Sequence, residues 1–164
     1  MKKAFTLIEL LVVMVIAAVI MAVALPGFMS MNRGMAMRGA TRSVKSTASL
    51  ARQWAITHRT VTSIQLSSNT LLVVDAQAAS TNESKLSDPL VFAREISVAS
   101  FYYDTSANTW ISTTNTEFLT TGGLKVDTTK NEGDHKITLT ETNGANVVEN
   151  TVVINWLTGG ISIQ

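Results

Sequence analysis

The sequence predicts an α+β chain in which a long N-terminal helix packs on a mainly antiparallel β-sheet domain. Three observations carry that prediction. Leu10 to Leu25 contains no charged, amide or hydroxyl side chain. Apolar residues then keep a helical period as far as about His58. After His58 the period changes to two, and the last hundred residues are rich in Thr, Ser and Asn. A chain of 164 residues with 46% hydrophobic content holds one modest core, so this uneven placement implies one folded unit exposed to two different solvents.

From Phe5 to Phe28 the only ionised side chain is Glu9. A helix of that length rises roughly 36 Å at about 1.5 Å per residue, enough to cross a hydrocarbon layer, which makes 5–29 a membrane-helix candidate. A buried core helix is one alternative. A cleaved signal peptide is another, since Lys2 and Lys3 form a basic start and Ala22-Val23-Ala24 is a small-x-small cutting site. Glu9 argues against the second: a carboxylate at mid-bilayer costs about 2.5 kcal/mol or more and persists mainly where it has a partner.

The run Lys2-Lys3-Ala4-Phe5-Thr6-Leu7-Ile8-Glu9-Leu10-Leu11-Val12 strongly resembles the class III signal of type IV prepilins and type II secretion pseudopilins. The resemblance implies a leader at 1–4, removed by a prepilin peptidase between Ala4 and Phe5, with methylation of the new Phe5 amino group. The family usually has Gly where this chain has Ala4. It also implies a pilin-like fold, a single pass through a bacterial inner membrane, and a domain exported to the periplasm or to an extracellular filament. Glu9 and Thr6 become the candidate assembly residues. Physical chemistry supports that role for Glu9, because a Phe5 ammonium would be a partner for a carboxylate within the membrane. Phe5 and Glu9 lie four residues apart on one helix face, so the partner can be its own terminus or a neighbour's. The plainer role for Glu9 is to favour a helix N-terminus through the macrodipole.

Pro26 and Gly27 interrupt the helix signal, since an interior proline removes a hydrogen bond and crowds the preceding turn. They are the candidate adaptable segment, kinked or locally melted, against a gently bent continuous helix. Gly34 and Gly39 weaken the following stretch by about 1 kcal/mol each relative to Ala.

The segment 30–59 reads as an amphipathic continuation. Ala36, Met37, Ala40, Val44, Ala51, Trp54 and Ala55 share one broad face suited to pack on the sheet domain. Arg38, Arg42, Lys45, Arg52 and Arg59 form an adjoining stripe. A solvated face explains the stripe; so does a subunit contact through Arg38, Arg42, Lys45 and Arg52. The charge asymmetry favours the contact: residues 1–59 carry eight Lys/Arg against one Glu, and residues 60–164 carry five against eleven acids. The distal half is therefore acidic, which argues against nucleic acid as a partner. The stripe creates a topology conflict too, because Arg33, Arg38, Arg42 and Lys45 outnumber Lys2 and Lys3 and a simple positive-inside count would put the domain inside. The prepilin resemblance implies the opposite.

In 60–164, Val61 to Leu66, Leu71 to Asp75, Glu95 to Tyr103, Lys136 to Glu141 and Val147 to Trp156 read as strands. Ser67-Ser68-Asn69 and Asn143-Gly144 suit tight connections. Gln77 to Pro89 and Asp127 to Asp134 read as exposed loops. Leu50 to Ile56 followed by Val61 to Leu66, Phe118 followed by Gly122-Gly123, and the ending Val153-Ile154-Asn155-Trp156-Leu157-Thr158-Gly159-Gly160-Ile161-Ser162-Ile163 resemble the GspH/FimT group of minor pseudopilins and minor pilins. Members of that group often carry a basic residue after the Thr-Gly pair; Gly160 stands there in this chain, which counts against a DNA-binding version.

No catalytic residue, metal site or cofactor is expected. Cysteine is absent, excluding disulfides, thiol nucleophiles and Cys-ligated zinc. The two histidines, His58 and His135, lack metal-pair or triad spacing and read as solvated residues. Asp127, Glu132 and Asp134 are the nearest approach to a calcium cluster. The sequence thus points away from an enzyme and toward a subunit, a minor pseudopilin or minor pilin, whose partners are the prepilin peptidase, other pilin or pseudopilin subunits and the membrane. The rival is a membrane-tethered or secreted β-domain that binds an exported protein or DNA without polymerising.

Overall fold

The computed structural model describes residues 6–67, 69–77, 85–93, 95–127, 129, 132–143 and 146–164, with side chains at 25–33, 143 and 146 excepted. The leader, Ala4 and Phe5 therefore lie outside the described residues, as does most of the Gln77–Pro89 segment. The chain divides into two compact units, Met1–Ala36 and Met37–Gln164.

Helix α1 runs from Leu7 to His58. Its backbone stays helical through Pro26 and Gly27, consistent with a proline forfeiting one hydrogen bond rather than ending a helix whose other residues are strong formers. The helix stops where Arg59 takes a left-handed conformation (φ 54°), a C-terminal cap that turns the chain toward the first strand.

In the second unit the inward stripe of α1 is Met37, Thr41, Val44, Ala48, Ala51 and Ala55, all buried. These positions alternate steps of four and three, the helical period of a face against a sheet. Alanine at three successive inward positions lets the helix backbone approach the strands closely. Polar threads fix the register: Thr62 donates to the Ala51 carbonyl at 2.8 Å, and Asn150 Nδ2 donates to Thr41 Oγ1 at 3.1 Å. Ala36, read onto this face, is exposed, and Trp54 is half-buried.

Among the described residues nine strands follow: β1 (Thr62–Ser67), β2 (Thr70–Asp75), β3 (Leu90–Val91), β4 (Ile96–Asp104), β5 (Thr109–Thr113), β6 (Asn115–Phe118), β7 (Glu132–Asn143), β8 (Asn146–Ile154) and β9 (Ile161–Ile163). They form two antiparallel sheets, ordered β3-β2-β1-β6 and β5-β4-β7-β8-β9. Period-two patterning puts Ile64, Leu71, Val73, Ile137, Leu139, Val152 and Ile154 inside, where with Phe118 and the α1 stripe they build a single core.

Two features differ from the sequence reading. The strands between Thr109 and Phe118 were not legible there, and they are where the chain changes sheets: β5 pairs with β4, β6 pairs with β1, and only Thr114 separates them. The segment Asp127–Asp134 is not wholly a loop. Strand β4 continues past an irregularity at Tyr102–Asp104 to pair Asp104 with Glu132, so β7 begins four residues earlier than its apolar pattern. At the other end β7 pairs with β8 out to Asn143 opposite Asn146, so the connecting positions 144 and 145, including Gly144, lie outside the described residues.

Candidate assembly segment, clasp and cleft

At the start of α1, Thr6 and Glu9 form a reciprocal cap. The Thr6 amide and hydroxyl each donate to Glu9 Oε2 at 2.9 Å, and the Glu9 amide faces Thr6 Oγ1 at 3.4 Å. This is a Thr-x-x-Glu capping box, which satisfies amide groups that have no partner within the helix. The cap holds the Glu9 carboxylate over the first turn of the helix. The two residues singled out for assembly are thus bonded to each other. The stretch Leu7–Ala24, which contains Glu9, is 18 residues of mean hydropathy 3.0 with no buried residue. From Leu10 onward the helix is apolar on every side, with no protein covering it within the unit, the surface expected of a helix whose solvent is lipid or other helices.

On the second unit's helix, Arg38, Arg42 and Lys45 are exposed, and none forms an ion pair with a described residue. Arg52 behaves differently. Its Nε donates to the Gly122 carbonyl at 3.1 Å and its Nη2 to the Thr158 carbonyl at 2.9 Å. The guanidinium fork thereby clasps two loops, 119–124 and 155–160, to the last turns of α1. Glycine makes the close approach feasible. Gly122 and Gly159 have φ of 86° and 63°, in the region that costs L residues about 1–2 kcal/mol. A Cβ on Gly159 would run into the Gly122 carbonyl and the Arg52 side chain, and one on Gly123 would sit 2.8 Å from the Leu157 carbonyl oxygen. The Leu124 amide donates to the Trp156 carbonyl at 2.8 Å, sealing the two loops together. The Gly122-Gly123 and Thr158-Gly159-Gly160 segments, far apart in sequence, are therefore one structural device. Sequence reasoning placed Arg52 on the exposed stripe and missed its internal partners. The two glycine pairs were the available signal.

His135 is also corrected. It is buried inside β7 rather than solvated in a loop. The register that pairs it with Tyr102 and Ile154 points it inward, where Nδ1 lies 3.1 Å from Thr116 Oγ1 and Nε2 has no partner. Burial lowers its pKa to about 4 despite the nearby Asp134 charge, leaving the ring neutral near pH 7. It lines an open cleft of about 490 Å³ together with Asn115, Glu117, Lys125, Asp127 and Glu132. His58, by contrast, is exposed and stacks on Trp54 at 3.8 Å between ring centroids. Among the described residues no group of three or more His, Asp or Glu is placed to hold a metal. The acids named as a calcium possibility instead brace turns: Asp134 Oδ1 accepts from the Trp156 amide at 2.8 Å, and Glu132 Oε2 from the Asp127 amide at 2.7 Å.

Comparison with known proteins agrees with this arrangement. Residues 1–25 match the prokaryotic N-terminal methylation motif. No curated protein matches the chain by sequence. Among solved structures, the type IV minor pilin FimU of Pseudomonas aeruginosa matches in two crystal forms. One has 16% identity and a TM-score of 0.54 and covers 81% of this chain and 90% of that one. The other has 14% identity and a TM-score of 0.53 and covers 77% and 91%. The chain thus joins a prokaryotic N-terminal methylation motif to the fold of a type IV minor pilin.

Proposed function

We propose that this protein is a minor pilin or minor pseudopilin of the GspH/FimT kind, assembling through its N-terminal helix into a type IV pilus or type II secretion pseudopilus. The observation that carries the reading is the methylation motif lying over an uncovered apolar helix whose one carboxylate, Glu9, sits in its first turn. In the proposed sequence, a prepilin peptidase cuts between Ala4 and Phe5 and the Phe5 amine is methylated. Apolar helices then pack laterally, and Glu9 pairs with a Phe5 ammonium as the subunit enters the filament. Once Phe5 is the terminus, the cap supports this step. Thr6 holds the carboxylate at the helix start, and Oε1 has no partner among the described residues.

The test has two parts. Intact mass and N-terminal peptide mapping of protein from its native envelope should give a terminus at Phe5 carrying an added methyl group. Glu9→Ala should still be processed yet drop out of the sheared filament fraction, with loss of most co-assembly. A mature terminus at Leu25 would mean that a signal peptide had been discarded, which favours the soluble binding domain and removes the membrane-helix mechanism. Unchanged assembly by Glu9→Ala would remove the charge-pairing step.

A further inference from the structure

The last strand of the larger sheet has an edge that the fold leaves open. β9 ends the order β5-β4-β7-β8-β9, so among the described residues nothing pairs on its outer side. The register says which groups face outward. Gln164 exchanges bonds with Thr151, and the Asn155 amide donates to the Gly160 carbonyl. Alternation along an antiparallel ladder then turns Ser162 toward β8, and the N–H and C=O groups of Ile161 and Ile163 away from it. Ser162, Ile163 and Gln164 are exposed. Edges are commonly blunted by a charge or a proline; Ile161-Ser162-Ile163 has neither.

This edge is one wall of an open groove of about 530 Å³, and the end of α1 is the other. Ser49, Arg52, Gln53 and Ile56 line the helix side, Gly160 and Ile161 the strand side. The exposed cations share that helix face. Arg38, Arg42, Lys45, Ser49, Arg52 and Ile56 recur at steps of four and three, within an arc of about 80°. β9 runs along the same face: Ile161 shares the groove with Ile56, and Gln164 stands opposite Thr151, next to the Asn150 that bonds Thr41. The open edge thus leads from the level of Ile56 toward that of Lys45.

We propose that this groove takes an extended acidic segment of a different protein, which pairs with β9 as an added strand. An open row of amides and carbonyls matches another peptide backbone, whereas a nucleic acid presents no such ladder. Charge complementarity sets the guest's side chains: Arg38, Arg42 and Lys45 have no ion pair among the described residues, and carboxylates on the helix-facing side of the added strand meet them. The chain's own Glu132, Glu141 and Glu149 lie in strands already built into its sheet, so the guest comes from elsewhere. The groove lies wholly within the second unit, and the proposal goes beyond the assembly reading without depending on it.

The test titrates the full chain in detergent micelles with a short synthetic peptide alternating Glu and Val, whose carboxylates share one face of a strand. Amide-resolved hydrogen exchange reads the contact. At about 90% saturation, exchange at Ile161 and Ile163 should slow about tenfold, because a bonded amide exchanges only from the free fraction. Ile163→Pro removes an outward donor, spares the bonds to β8 and is tolerated at an edge; it should keep the parent's urea midpoint and bind about tenfold more weakly. Changing Arg42 and Lys45 together to Glu should also weaken binding about tenfold, without touching the strand. The proposal is overturned by no binding at millimolar peptide, by binding that leaves exchange at Ile161 and Ile163 unchanged, or by a folded Ile163→Pro chain that binds like the parent. Equal binding of a peptide alternating Lys and Val overturns it too. So does displacement of the acidic peptide by a single-stranded oligonucleotide of equal charge, which would assign the row to nucleic acid. Filament content plays no part in these readouts, so the assembly reading stands or falls separately.

Discussion

His135 shows how one residue's environment sets a measurable property. Its neutral form is favoured by burial, so its pKa falls from 6.5 to about 4 on folding. A depressed histidine pKa means the unfolded chain binds more protons than the folded chain between those two values. Stability is therefore full above about pH 6.5, declines as pH falls toward 4, and loses no more from this group below that. The window corresponds to about 3 kcal/mol. Urea midpoints of the full chain in detergent should fall from pH 7 to pH 4.5. His135→Asn, which keeps a partner for Thr116 but cannot titrate, should show a clearly shallower fall. Equal slopes for the two proteins would mean that His135 is not the titrating group. The sequence did not disclose this environment, because His135 follows the polar run Asn131-Glu132-Gly133-Asp134. Only the pairing of β4 with that run carries the residue inside.

At the scale of elements, the clasp around Arg52 explains why two glycine pairs occur where they do. Arg52→Ala removes charge-assisted bonds to two carbonyls and should cost about 1–3 kcal/mol, with Arg52→Lys recovering part of it through a single bond. Gly159→Ala should cost at least about 2 kcal/mol, since it adds left-handed strain to a collision with the Gly122 backbone. Urea melts of the three variants measure this directly; a Gly159→Ala protein as stable as wild type would show that the loops do not meet. A helical wheel gives azimuth, and azimuth correctly placed Met37, Val44, Ala51 and Ala55 on the packed face. It cannot say which carbonyls two distant loops bring within reach of Arg52. The same limit applies to β5 and β6. Each is short and rich in Thr, Ser and Asn, and they belong to different sheets across one residue, so neither shows a sustained period of two.

At the scale of the whole chain, the division into an apolar helical stretch and a polar β-rich unit was legible because hydropathy reports solvent, and solvent acts on every residue at once. Which side of a membrane the β-rich unit occupies is a separate question, on which two physical cues conflict. Counting charge, Arg33, Arg38, Arg42 and Lys45 follow the apolar stretch and only Lys2 and Lys3 precede it, an arrangement that would retain the unit in the cytoplasm. Against this stands the methylation motif at 1–25, which in the proposed function commits the leader to the cytoplasm and the unit to export. Arg38, Arg42 and Lys45 are exposed on a folded helix, on a face adjoining the buried stripe of Val44, Ala48 and Ala51. The expected outcome is full digestion of the β-rich unit when protease is added to intact spheroplasts, with the protein otherwise remaining in the membrane through high-salt and alkaline washes. Protection in intact spheroplasts and digestion only after lysis would show that the charge count governs, and would leave the helix without access to an extracytoplasmic filament.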